Sequence, residues 1–206
     1  MQVLVIHGAG GFINVDRADF VAGLRARKVT LEDLRRSGGD WKSNLQRDLG
    51  PEYDVLQPRM PDADAPQYAA WAAWFEQILP LLDSEVILVG HSLGALFLAK
   101  YLSENKIANK VHSLHLCAAP YTGVEAHVML QGRLRTAGWL VDNDFALLAE
   151  QCGAVYLYHS TDDPAVPFAA TKGYTLHVPQ AVVRTFSDLG HLRGESLPGI
   201  VDDIKG

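Results

Sequence analysis

Residues 86–102 read VILVGHSLGALFLAKYL, an apolar run that ends on Gly90-His91-Ser92-Leu93-Gly94 and continues with apolar residues at helical spacing. Four aliphatic residues in succession suit a strand buried on both faces, and the three- and four-residue intervals that follow suit a helix. The G-x-S-x-G between them places a serine on a sharp turn. Glycine is demanded two residues to either side because a side chain there would collide with neighbouring backbone. Ser92 is then expected to project its hydroxyl from the sheet edge at a helix N-terminus, where unpaired amides and the helix dipole favour a developing oxyanion. The amide of Leu93 is the first such donor.

Five further β-rich runs surround this stretch, and with it the set is 2–7, 53–57, 85–90, 111–117, 154–159 and 181–186. Most are nearly continuous in apolar residues, as buried parallel strands are. Helical spacing occurs at 16–24, 67–82, 92–103 and 144–150, leaving room for right-handed crossovers. The expected architecture is α/β: a mainly parallel six-stranded sheet with helices on both faces, in one domain spanning 1–206 without a large cap domain. The long irregular regions 8–50 and 118–141 leave the carboxyl ends of expected strands and are candidate walls of a cleft.

Composition narrows the function. Of 206 residues, 48% are hydrophobic and 20% charged, which is ordinary globular usage. A formal net charge of −6 argues against nucleic acid, which needs clustered cations. The basic stretch Arg25, Arg27, Lys28, Arg35 and Arg36 is broken by Glu32 and Asp33 and reads as a solvated helix face. Cys117 and Cys152 lie in no metal-ligand or disulfide spacing, which points to a reduced, cytoplasmic setting. The opening MQVLVIHG reads as a strand, and no window approaches membrane-spanning length, so neither export nor a membrane partner is expected.

A serine hydroxyl becomes a good nucleophile when an imidazole takes its proton, and the imidazole needs an anion to fix its tautomer. In the α/β-hydrolase arrangement these partners follow in the order acid, then histidine, each after a later strand. The strand at 154–159 leads into Thr161-Asp162-Asp163-Pro164-Ala165-Val166-Pro167. This D-P-x-V-P turn resembles the acid loop of many α/β-hydrolases, in which the residue before the first proline is the acid, so Asp163 is preferred and Asp162 is left to cap the turn. The last strand leads into Gly190-His191, where glycine lets the chain turn tightly and present the ring. Among the other histidines, His91 should point away from the attack trajectory, and His112, His115 and His159 fall on strands where packing is their expected role.

After the first strand comes His7-Gly8-Ala9-Gly10-Gly11. Its glycines let the main chain approach a substrate closely, and the amide of Ala9, or else Gly10, is the expected second oxyanion donor. A phosphate cradle is disfavoured because Ile13 stands where the third glycine of G-x-G-x-x-G belongs.

These loops, with Met60-Pro61-Asp62, the helix bearing Trp71 and Trp74, and the S-T-D-D-P-x-V-P turn, resemble the small serine hydrolases typified by retinoblastoma-binding protein 9 and their bacterial relatives. The likeness spans nearly the whole chain. It implies an α/β-hydrolase domain, a triad falling on Ser92, Asp163 and His191, and esterase-type activity. The segment 23–50 is longer than that family's first helical connection, and its charged residues with Trp41 suggest an extra helix near the cleft that bears on substrate access.

The expected reaction is acyl transfer to Ser92 followed by hydrolysis, without metal or organic cofactor. A small carboxylic ester is the first substrate class and an amide or small peptide the next. Phe12, Trp41, Tyr121, Trp139 and Phe168 are candidate substrate-binding residues. The rival expectations are a non-catalytic protein-interaction module on the same fold and an acyltransferase.

Overall fold

Val3 and Val5 of the first strand join one apolar layer while Leu4 and Ile6 join another, and all four are fully buried. That alternation with burial on both sides sets the architecture, because each face needs its own helical cover. The computed structural model describes residues 1–8, 25–26, 28–35, 39–61, 66–122, 125–126, 138–139 and 144–206.

Six strands, β1 (Gln2–Ile6), β2 (Asp54–Leu56), β3 (Glu85–His91), β4 (Lys110–Cys117), β5 (Cys152–Ser160) and β6 (Val182–Phe186), form one sheet. Its order is β2-β1-β3-β4-β5-β6, and every neighbouring pair is parallel. The chain moves outward from β1 to β2, then returns across β1 to lay down β3 and proceeds the other way. The reversal falls between β1 and β3, the place where an open α/β sheet parts to admit a ligand beyond its carboxyl ends. Gly8 follows β1 and Ser92 follows β3, so the residue that opens the glycine-rich segment and the elbow meet at that crevice.

One face is covered by α2 (Tyr68–Ile78), α3 (Leu93–Glu104) and α4 (Ala146–Gln151), which pack on Leu4, Leu88, Leu114 and Leu157. The other is covered by α1 (Trp41–Leu49) and α6 (Ile200–Lys205), which pack on Val3, Val5, Ile87 and Val89. Between β5 and β6 runs α5 (Ala169–His177), whose Tyr174 reaches the first cluster.

All six expected strands are present, with ends displaced by no more than two residues. The expected helix at 16–24 lies outside the described residues. Two helices, α5 and α6, go beyond those expected from the sequence, and α1 falls in the segment 23–50 where an extra helix is expected. Asp40 starts α1 by accepting a hydrogen bond from the Ser43 amide at 3.1 Å, and Trp41, Leu45 and Leu49 form its buried stripe. Among the described residues no helix is long and apolar enough to cross a membrane.

Candidate active site

The backbone at Ser92 has φ 57° and ψ −123°, an unfavourable region for a residue with a side chain. The surrounding structure holds it there. The Ser92 amide donates to the Cys117 carbonyl at 2.8 Å, tying the elbow to β4, and its own carbonyl accepts from the amides of Ala95 and Leu96 in the first turn of α3. A Cβ on Gly90 would lie 2.5 Å from the Ala95 Cα, and one on Gly94 would lie 2.2 Å from the Ile6 carbonyl oxygen. Both glycines are thus sterically required. Gly8 also lies close against the serine, since a Cβ on it would meet the Ser92 Cβ at 3.0 Å and its Oγ at 3.4 Å.

Beside the elbow, three polar side chains from three loops form one hydrogen-bonded line. His191 Nε2 lies 2.9 Å from Ser92 Oγ, and His191 Nδ1 lies 2.8 and 3.1 Å from the two oxygens of Asp163. A carboxylate can only accept, so Nδ1 carries the hydrogen and Nε2 offers its lone pair to the hydroxyl. Ser92 and His191 are buried to within a few per cent, and the Asp163 side chain is fully enclosed. Burial works against the Asp163 anion. Hydrogen bonds from His159, His191 and the amides of Val166 and Ala165 outweigh that penalty and hold the carboxyl well below the usual carboxylate range.

The histidine turn is fastened from outside. His91 Nε2–H donates to the His191 carbonyl at 2.9 Å, and Trp41 Nε1–H donates to the Leu192 carbonyl at 2.8 Å. Burial, with the nearby Lys42 and His191, pushes the His91 pKa down to about 3, so the ring is neutral at ordinary pH. The same turn receives Asn44 Nδ2 on the Glu195 carbonyl and returns the Gly194 carbonyl to the Trp41 amide. A second tie joins acid turn to histidine turn: Asp162 Oδ1 accepts from the Ser160 hydroxyl and from the Gly190 amide, and Ser160 Oγ accepts from the Leu189 amide. Gly190 has φ 48°, which explains glycine before the histidine.

At the end of β1, His7 ties Gly8 to Met60. Its Nε2 accepts from the Met60 amide at 3.1 Å, leaving Nδ1–H to donate to the Gly8 carbonyl at 2.7 Å. Ala9, Gly10 and Phe12, expected as oxyanion donors and a lining residue, lie outside the described residues. Leu93 begins α3, so its amide has no acceptor within the helix.

Two of the expected lining residues are core residues instead. Trp41 is 1% exposed and Trp139 is fully buried, with its Nε1–H on the Pro66 carbonyl and its ring against Tyr68 and Trp71. Tyr121 and Phe168 are half-buried; Tyr121 lies flat over Gly173 and Phe168 packs edge-on to the His159 ring. The expectation that segment 23–50 forms a helix near the site holds for α1, which buttresses the histidine turn. Sequence reasoning missed His159 and Ser160 as parts of the acid turn. Their one signal was position, at the carboxyl end of β5 just before Asp162-Asp163.

The sequence model of a family described as Serine hydrolase matches residues 33–199, a span that includes Ser92, Asp163 and His191. The chain belongs to the serine hydrolase family. The structure of the ydeN gene product from B. subtilis resembles this serine hydrolase with a TM-score of 0.72 and 20% identity, covering 99% of this chain and 96% of that one. Est1E from Butyrivibrio proteoclasticus matches with a TM-score of 0.61 and 15% identity over 99% of this chain and 85% of its own. The esterase domain of a Rhodothermus marinus protein gives 0.58 and 14% over 98% and 80%. Likeness at such identities concerns the fold, which is that of the α/β-hydrolases. The narrower likeness to retinoblastoma-binding protein 9 is not carried by these matches.

Proposed function

We propose that this serine hydrolase is a carboxylesterase acting on small esters through an acyl-enzyme at Ser92, within a single domain and in the cytoplasm. The observation that carries the reading is the unbroken line from Ser92 Oγ through His191 to Asp163, with hydrogen-bond lengths of 2.9 and 2.8 Å. As Oγ forms a bond to the ester carbonyl carbon, its proton passes to His191 Nε2, and Asp163 stabilises the resulting imidazolium. The carbonyl electron pair moves onto oxygen, where the Leu93 amide and the Ala9 amide receive it, Gly10 being the alternative to Ala9. Collapse breaks the bond to the alkoxy group, which leaves with the proton from Nε2. Water then repeats the sequence on the acyl-serine, giving the acid and free Ser92.

An ester is preferred to an amide because one of the proteins sharing this fold is described as an esterase domain, and because an alkoxide leaves a tetrahedral intermediate more readily than an amine nitrogen does. The decisive experiment is labelling with a fluorophosphonate probe together with turnover of p-nitrophenyl acetate. Labelling and turnover are expected to vanish in Ser92→Ala and to persist in Cys117→Ala. Persistence in Ser92→Ala refutes the assignment, and folded wild-type protein that neither labels nor turns over would instead favour a binding module. Acyl transfer to added alcohols exceeding hydrolysis would favour a transferase.

A further inference from the structure

Asp163 has a second histidine beside it. His159, the penultimate residue of β5, is 2% exposed. Its Nε2 lies 3.1 Å from the Val166 carbonyl and 3.4 Å from Asp163 Oδ2, and its Nδ1 lies 2.8 Å from Thr171 Oγ1. A carbonyl oxygen only accepts, so Nε2 carries hydrogen and is a donor whatever the state of Nδ1. That N–H donates to the Val166 carbonyl and stands within ion-pair distance of Asp163 Oδ2. The ring is in turn fixed from α5, by the Thr171 hydroxyl and by Phe168 packed edge-on at 5.5 Å.

The division of labour within the carboxylate follows. Oδ1 receives the amides of Ala165 and Val166, which any residue in this turn would supply, and has His191 Nδ1 at the longer distance of 3.1 Å. Oδ2 receives His191 at 2.8 Å and has His159 Nε2 as its other side-chain neighbour. Without His159, Oδ2 keeps His191 as its one side-chain neighbour among the described residues.

We propose that His159 is a positioning residue: its Nε2–H, held between the Val166 carbonyl and Asp163 Oδ2, fixes the acid against which His191 is aligned. This rests on the assignment of Asp163 and His191 under the proposed function. It extends the site inward to α5, linking Thr171 and Phe168 to the alignment of a hydroxyl on another loop.

The test compares His159→Phe, which fills the space without a donor, with His159→Gln, whose side-chain amide can donate from the Nε2 position. With p-nitrophenyl acetate, His159→Phe is expected to lower kcat by between about ten- and a hundredfold, with KM within about twofold of wild type. His159→Gln is expected to recover kcat to within about threefold. In both variants the downfield proton resonance of the His191–Asp163 hydrogen bond is followed, and it should shift or broaden in His159→Phe and return in His159→Gln. Equal impairment of both variants, or wild-type kcat and an unmoved resonance in both, overturns the proposal. The resonance is read without turnover, so a serine assignment refuted by active Ser92→Ala remains distinguishable from a failure of His159.

Discussion

Acid should weaken this fold before it reaches the range in which carboxylates titrate, and two buried imidazoles set the size of the effect. Burial, above all, pushes His91 and His115 each down to about 3. His115 lies within β4, fully enclosed, accepting from the Ser113 hydroxyl while its Nδ1–H meets the Tyr158 hydroxyl, which donates onward to Asp203. In the unfolded chain each ring takes up a proton near pH 6.5. The unfolded state therefore binds the proton that the folded state refuses, and folded stability declines as pH falls below about 6.5, continuing until the folded value near 3. Each pH unit in that window costs about 1.4 kcal/mol per ring, so moving from pH 7.5 to pH 5 removes about 2 kcal/mol through His115 alone. His91 doubles that figure. Urea unfolding followed by tryptophan fluorescence at the two pH values measures the loss, and His115→Gln should abolish its own share, lessening the loss by about 2 kcal/mol. Carboxylates remain charged in both states over most of this interval and leave the difference between the two proteins nearly unchanged. If wild type and His115→Gln lose stability in parallel, the ring is not held neutral by burial and the reasoning fails.

Other expectations follow from single contacts. Gly94→Ala brings a Cβ to 2.2 Å from the Ile6 carbonyl oxygen and should destabilise by more than about 3 kcal/mol or prevent folding, as read by circular dichroism, whereas Gly8→Ala needs a shift of only a few tenths of an ångström and should keep the fold while lowering kcat. Trp41→Phe strips the donor from the buried Leu192 carbonyl and should cost about 1–3 kcal/mol in urea unfolding, with kcat reduced more than KM is raised. Ser160→Ala removes both the donor to Asp162 and the acceptor for the Leu189 amide; about 1–2 kcal/mol of stability should be lost, and an unchanged urea midpoint would count against the tie between the two turns.

The sheet was legible because buried parallel strands leave an unmistakable record: Val86, Ile87, Leu88 and Val89 have no polar face to confuse the reading. The elbow was legible for a different reason, since Gly90 and Gly94 answer to backbone contacts that no other residue can satisfy. The helix α5 was hidden by Gly173, which breaks a helical pattern on paper; a Cβ there would lie 2.5 Å from the Tyr121 ring, so tertiary packing asked for the glycine that propensity disfavours. Trp41 and Trp139 were misplaced because an aromatic residue in a long connection looks alike whether it faces a cleft or a core, and only the partners of their indole N–H groups distinguish the two. From sequence, the place of His159 on a strand points only to packing. Nothing in one sequence shows that a strand's penultimate side chain turns towards an acid four residues later.

The bond from the Trp41 indole to the Leu192 carbonyl spans 151 residues. It makes the rigidity of the histidine turn a property that neither end of the chain possesses by itself. The elbow and its helix rest on β1, β3 and β4, whereas under the proposed mechanism the serine gains its base only where the turn beyond β6 is closed against α1. A single proteolytic cut ahead of α1 that freed this helix would leave Ser92, Asp163 and His191 intact in composition while releasing the strap that keeps the imidazole in register. Under the proposed mechanism, loss of activity with all three of these side chains retained is the signature such a clipped protein would show.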